Sequence, residues 1–354
     1  MPSYRIALIP GDGIGQEVVP AALNVLNRAA EVTGAFALST HHFPWSCEHY
    51  LRTGSMMDAD GLKKLADFDA IFLGAVGFPN VPDHVSLWGL LLPIRQGFDQ
   101  YINLRPIKLL DGIQGPLRDK TPADIDMLFI RENTEGEYCG HGGRLHRGGP
   151  NEVATQTAVF TRRGTERVVR YAFEQARGRR KMLANCTKSN ALNYSMVFWD
   201  EVVADVQRDY PDVEVTSYLV DALAARMVLR PESLDVVVAS NLFGDILTDL
   251  GGALQGSLGL PASGNINPEK HHPSMFEPVH GSAPDIAGTG IANPMATIWA
   301  GVMMLDHLGE AEAARLVMAG MQKVAAEGKT LTRDLGGSST TGEVAAAVAD
   351  AIGL

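Results

Sequence analysis

Residues 233–252 read S-L-D-V-V-V-A-S-N-L-F-G-D-I-L-T-D-L-G-G, and no other stretch of the chain constrains the fold as much. Val236, Val237, Val238 and Ala239 form an apolar run that reads as a buried strand; the turn at 241–244, rich in capping residues, predicts a helix starting near Asp245. Asp245 and Asp249 then share one helical face. Like charges at that spacing repel unless a cation lies between them, which makes the pair a candidate site for an oxygen-preferring divalent ion, Mg²⁺ or Mn²⁺. Taken alone, the pair leaves open an ordinary solvated acidic face, since such pairs are common on exposed helices.

The same strand-to-helix rhythm recurs along the chain. Strands are expected at 5–9, 69–73, 126–130, 182–186 and 213–219, and helices at 16–33, around 87–96, and at 165–177, 192–208 and 221–228, with Gly34 closing the first helix. This alternation predicts an α/β sandwich. Residues 135–161 interrupt it: the first half is rich in Gly, His and Arg and 152–161 alternates in strand fashion, as expected of a protruding hairpin arm. At 354 residues the chain exceeds what one core usually supports, so two domains are expected, and without a linker their boundary must fall where the chain crosses between them.

A formal charge of −11 argues against electrostatic binding to nucleic acid or an anionic membrane, although a small anion could still bind at local arginines. Cys47, Cys139 and Cys186 are odd in number and widely spaced, which suits neither a disulfide framework nor a zinc site. The chain opens into a strand with no export signal, and no segment approaches 18 uninterrupted apolar residues, so a soluble cytoplasmic protein is expected. Gly11, Gly13 and Gly15 lie between a strand and a helix, yet their G-x-G-x-G-x-E spacing lacks the third glycine of the dinucleotide fingerprint, which argues against a Rossmann fold.

Three arginines stand out as possible anion ligands. Arg105 precedes a proline that biases it towards extended backbone, and Arg131 ends the apolar strand M-L-F-I-R at a sheet edge, where active sites of open α/β sheets gather. A planar guanidinium can grip a carboxylate with two hydrogen bonds, as a lysine cannot.

Residues 241–260, N-L-F-G-D-I-L-T-D-L-G-G-A-L-Q-G-S-L-G-L, closely resemble the glycine-punctuated motif of the metal-dependent β-decarboxylating dehydrogenases, the isocitrate and 3-isopropylmalate dehydrogenase family. The resemblance runs from P-G-D-G-I-G at residue 10 to L-G-G-S at 335. It implies a two-domain α/β/α sandwich of that family's type, with a discontinuous nucleotide domain at 1–100 and 258–354. The central domain, 101–257, would hold the dimer contacts, and the arm would clasp a second copy.

By the same resemblance, Arg95 in L-P-I-R, Arg105 in N-L-R-P and Arg131 in I-R-E-N-T-E-G-E-Y match substrate-carboxylate ligands. Lys188 in N-C-T-K-S-N-A matches the relay that takes the substrate hydroxyl proton, and Tyr138 the acid that protonates the enol after decarboxylation. Asp221 matches a third metal aspartate beside Asp245 and Asp249, and in relatives Lys188 and Asp221 come from the other subunit of a homodimer. The loop V-H-G-S-A-P-D-I-A-G at 279–288 matches the cofactor site: His280, Gly281, Ser282, Ala283, Asp285 and Ile286, with Asn293 beyond and Ile14 bordering it. Asp285 resembles the carboxylate that grips the ribose hydroxyls of NAD, and a 2′-phosphate would meet it unfavourably. The segment 81–95 with Trp88, Leu91 and Leu92 reads the C3 substituent; it most resembles the tartrate and D-malate branch, since Trp88 leaves little space there. The implied activity is NAD- and Mn²⁺- or Mg²⁺-dependent oxidation of such a 2-hydroxy diacid at C2, with decarboxylation for suitable substrates. A K⁺ requirement is left open, as are 3-isopropylmalate oxidation and a catalytically silent regulatory subunit; intact Tyr138, Lys188, Asp221, Asp245 and Asp249 argue against the silent subunit.

Overall fold

Parallel strands covered by helices must be apolar on both faces, and the chain's most apolar runs take that place. The computed structural model describes residues 1–353 and divides into two compact units. The first comprises Met1–Gln100, Lys108–Pro122 and the stretch from Gly252 onward; the second comprises Tyr101–Ile107 and Ala123–Gly251.

In the first unit, strands Ala37–His42, Ser3–Gly11, Ala70–Ala75, Ser274–Pro278 and Ala262–Ile266 lie side by side in that order. All neighbouring pairs are parallel except the last. Ile6, Ile9, Ile71 and Phe72 are fully buried. Helix Gly15–Thr33 stops at Gly34, whose φ of 60° places it in the left-handed region that favours glycine. Helix Met295–Leu308 is apolar on nearly every side and correspondingly buried.

The second unit orders its strands Ile102–Lys108, Asp126–Glu132, Val236–Ala239, Met182–Thr187 and Glu214–Leu219. Val236–Ala239 runs parallel to both its neighbours, with Ala239 opposite Arg131, so Arg131 stands at the carboxyl edge. Helices Arg162–Arg177 and Ser195–Gln207 pack beside these strands, the former capped by the Thr161 hydroxyl. Residues 135–161 form the expected hairpin: Gly136–Leu145 pairs antiparallel with Val153–Val159, with a register shift between Gly136 and His141.

Three expectations change. Residues 241–244 are the first turn of helix Asn241–Leu254, because Gly244 N–H already donates to Ser240 O at 2.8 Å. The helix expected around 87–96 is three segments, with a π-helical turn at Leu87–Leu91 between Asp83–Ser86 and Leu92–Gly97. Lys108–Pro122 belongs with the first unit, and the chain returns there at Gly252 instead of 258. Gln255 donates to Lys108 O, and Gly112 lies so near Ala325 that a Cβ would come within 2.2 Å of its carbonyl oxygen. No helix among the described residues is long and apolar enough to cross a membrane.

Candidate active site

Asp245 organises the second unit's candidate residues. Its carboxylate accepts from Arg131 Nη1, from Arg105 Nη2 at 3.4 Å and from Tyr138 OH at 2.9 Å. Both guanidiniums are deeply buried, Arg105 at 6% and Arg131 at 2% exposure, which a charge tolerates only when paired and hydrogen-bonded. Asn103 Oδ1 accepts from Arg105 Nε at 2.7 Å and Thr248 Oγ1 from its Nη1 at 2.5 Å. Asn241 Oδ1 takes Arg131 Nε and Nη2 at 3.0 and 2.7 Å. Gly244 lets the helix come this near, since a Cβ there would lie 2.7 Å from the Arg131 Cβ. Asn103, Asn241 and Thr248 were absent from the sequence assignment. Asn103 could have been found, because it precedes Arg105 by two on a strand and so shares its face.

Asp249 lies one turn beyond Asp245 and is exposed. Partial desolvation and then the Asp245 charge push its carboxyl above the ordinary range, against the pull of Arg105 and Arg131. Two carboxylates one turn apart on a helix offer the oxygen donors a hard divalent cation prefers. Among the described residues no group of three His, Cys, Asp or Glu side chains is arranged to hold a metal. Asp221 stands with Lys188 instead: Lys188 follows strand Met182–Thr187, Asp221 lies in the first turn of helix Val220–Leu229, and Nζ donates to Oδ1 at 2.8 Å. Lys188 holds the Asp221 carboxyl below its usual range.

In the first unit, Arg95 is buried and its Nη2 donates to Glu277 Oε1 at 2.8 Å, an oxygen that also accepts from Asn265. The sequence reading offered Arg95 to a substrate carboxylate; the structure gives it an internal one and leaves Nε without a partner. Of the three residues expected to face the C3 substituent, Leu92 is 1% exposed and Leu91 packs on the core, so only Trp88, 41% exposed, is broadly open to solvent.

The loop at 279–288 borders a cavity of about 590 Å³ lined by Gly77, Phe78 and Asp83 together with Gly281, Ser282 and Ala283. A Cβ on Gly281 would touch nothing within 4 Å, so its backbone faces open space. His280 Nδ1 lies 2.9 Å from Gly281 O, while its buried Nε2 has no partner. Burial lowers the imidazole's proton affinity, and a neutral ring donating through Nδ1 leaves the buried Nε2 as an unpartnered acceptor. Asp285 is exposed. Two more residues read as cofactor contacts have roles within the fold. Asn293 is buried, accepting from Met295 N–H at 3.0 Å and donating to Asp334 at 2.9 Å, so its amide serves the start of helix Met295–Leu308. Ile14 is buried with Val18 and Ala292 against Ala283 and Ile286, where it supports the loop from beneath.

Comparison with known proteins gives this arrangement its context. The family description "Isocitrate/isopropylmalate dehydrogenase" matches residues 5–349. A "Probable tartrate dehydrogenase/decarboxylase" of Agrobacterium vitis is 55% identical over 353 residues, covering 99% of this chain and 98% of that protein. The "D-malate dehydrogenase [decarboxylating]" of Escherichia coli is 53% identical over 356 residues, covering 98% of both. Among solved structures, an isocitrate dehydrogenase from Methylococcus capsulatus aligns with a TM-score of 0.88 at 35% identity, covering 99% of each chain. The chain therefore belongs to the isocitrate/isopropylmalate dehydrogenase family, a family of oxidoreductases, and it resembles tartrate and D-malate dehydrogenases along nearly its whole length.

Proposed function

We propose that this protein oxidises D-malate or tartrate at C2 with NAD and a divalent ion, and releases CO₂ where the product is a β-keto acid. The observation that carries the reading is the gathering of Arg105, Arg131 and Tyr138 around Asp245, with Asp249 one turn away. Asp245 and Asp249, with Asp221, would hold Mn²⁺ or Mg²⁺; His280, Gly281 and Asp285 would receive NAD. When bound, NAD supplies the hydride acceptor for C2, and the ion supplies positive charge that polarises the C2 oxygen and the neighbouring carboxylate.

Arg105 and Arg131 orient a substrate carboxylate, a task suited to guanidiniums already fixed by Asn103, Thr248 and Asn241. Lys188 takes the hydroxyl proton as the C2–H bond breaks. In the following step the C3–carboxylate bond breaks, its electrons remain at C3, and Tyr138 donates its phenolic proton there.

The working unit is a homodimer in which Lys188 and Asp221 of the partner subunit complete the site. Support comes from Asp221 pairing with Lys188 while no three-donor metal cluster forms among the described residues, and from exposed Tyr194, Leu229 and Ile246 on the second unit. Its setting is the cytoplasm, in keeping with three cysteines that form no disulfide.

Side-by-side initial rates with D-malate, tartrate, 3-isopropylmalate and isocitrate at saturating Mn²⁺ and NAD test the substrate. D-malate or tartrate should exceed 3-isopropylmalate in kcat/KM by on the order of ten- to a few hundredfold, because Trp88 occupies space an isopropyl group would need. Isocitrate should fare worst, its third carboxylate finding no partner. A clear win for 3-isopropylmalate would reverse the reading of Trp88.

NAD should outperform NADP by at least about tenfold in kcat/KM, a difference of ~1.4 kcal/mol, since Asp285 would repel a 2′-phosphate. Converting Asp285→Lys together with Ile286→Tyr should narrow the gap. Equal use of both cofactors by the unmodified enzyme would contradict the role given to Asp285.

A further inference from the structure

The segment P-G-D-G-I-G-Q-E-V at 10–18 is not a dinucleotide fingerprint, yet it carries two carboxylates, Asp12 before helix Gly15–Thr33 and Glu17 in its first turn, that accept hydrogen bonds from distant segments. Asp12 is 2% exposed, and both its oxygens lie 3.0 Å from Cys47 N; Oδ1 also meets Glu48 N at 3.4 Å and Oδ2 meets Gly77 N at 3.1 Å. Glu17 accepts from Gly288 N at 2.5 Å through Oε1 and from Gly290 N at 2.8 Å through Oε2. An acidic residue in a helix's first turn, as Glu17 is, ordinarily complements the helix dipole. Here both carboxylates grip amides of other segments: Asp12 that of Gly77, which lines the 590 Å³ cavity, and Glu17 those of Gly288 and Gly290, in the loop that continues from the cavity-lining Gly281 past Asp285.

A third tie lies between them. Ile14 N–H donates to Ser282 O at 2.8 Å, and Gly13, at φ 54°, must lack a side chain because a Cβ would lie 2.0 Å from that oxygen. Gly288 and Gly290 have φ of 76° and 68°, so the loop's far end uses backbone freedom that only glycine offers cheaply. A segment so free must be ordered by something before it can receive a ligand tightly. A carboxylate accepting two amide hydrogen bonds is a strong clamp, because charge-assisted bonds are roughly twice as strong as neutral ones.

We propose that Asp12 and Glu17 are positioning residues for the dinucleotide cavity, with Asp12 holding the Gly77 wall and Glu17 holding the Asp285-bearing loop in its receptive form. This rests on the reading that the 279–290 loop receives NAD. Glu17 is the residue to test first, since it is half-buried, whereas losing the buried Asp12 carboxylate would strand several amides and threaten folding.

The experiment titrates NADH into metal-free protein without substrate, following nucleotide fluorescence, for the unmodified chain, Glu17→Gln and Glu17→Ala. Glu17→Ala should weaken NADH binding by about tenfold, and Glu17→Gln, which keeps one acceptor, by less. In turnover, KM for NAD should rise by the same factors, while kcat at saturating NAD and KM for D-malate stay within about twofold of the unmodified enzyme. A merely structural role would lower Tm and kcat together and leave no selective effect on NAD. Unchanged NADH affinity in folded Glu17→Ala overturns the proposal, as does a fall in kcat without a change in affinity; if Glu17→Ala does not fold, Glu17→Gln decides by the same criteria. Failure of the unmodified protein to bind NADH would overturn the cofactor reading itself, an outcome distinct from failure of the clamp alone.

Discussion

Replacing Asp249 with asparagine should cost about a hundredfold or more in turnover, the scale on which metal sites respond to lost support, while making the metal-free protein slightly more stable. The opposite signs follow from one arrangement. Asp249 stands beside Asp245 on one helical face, and the Asp245 charge disfavours its ionisation, so removing that charge relieves a repulsion the fold otherwise carries. Asp249 is the better target than Asp245, whose loss would also deprive Arg131 and Arg105 of an acceptor. Melting curves with and without EDTA and Mn²⁺, beside NADH production rates, give both readouts. Mn²⁺ should raise the Tm of the unmodified protein, and chelation should abolish its turnover. Full activity in metal-free enzyme would sink the metal assignment.

Lys188→Ala should lower kcat by roughly a hundred- to ten-thousandfold, the usual contribution of a positioned proton-transfer group. Tyr138→Phe should stall turnover at the protonation of C3 while keeping its ring over Arg131, where the guanidinium carbon lies 5.6 Å from the ring centroid. Complementation separates a shared site from a private one. Refolding the two inactive proteins together should give heterodimers with one intact site each, and activity should return towards half the unmodified value per heterodimer. Heterodimers that form and stay inactive would place each site within a single chain.

The sequence was most readable where one physical demand dominated. Strand Val236–Ala239 was bounded correctly because a buried parallel strand tolerates little except apolar residues, and the end of the first helix was announced by Gly34. Ala37–His42 escaped notice because it is half to fully exposed, so no buried face imprints a pattern on it. Ala262–Ile266 and Ser274–Pro278 escaped for the opposite reason: they are buried yet carry Ser263, Asn265, Ser274 and Glu277, polar residues satisfied by internal partners. Helix Met295–Leu308 offers no polar face to set a period. At the site, the residue types were legible but their partners were not. Arg95 meets Glu277 across 182 residues of chain, and local spacing carries no trace of such a pairing. Asn241 looked like a cap; its side chain instead accepts from Arg131.

Under the role proposed for Trp88, the π-helical turn at Leu87–Leu91 bears on how substrate choice can drift over generations. Such a turn amounts to one surplus residue absorbed by a helix without breaking it. Deleting a residue between Trp88 and Arg95 would restore ordinary winding and swing Trp88, which lies within the turn, by roughly 100° relative to Arg95. Changes in this segment's length can therefore re-aim the exposed indole as effectively as point substitutions can replace it. A library of single deletions and insertions across 86–92 would sample pockets that no exchange of side chains at fixed length can reach.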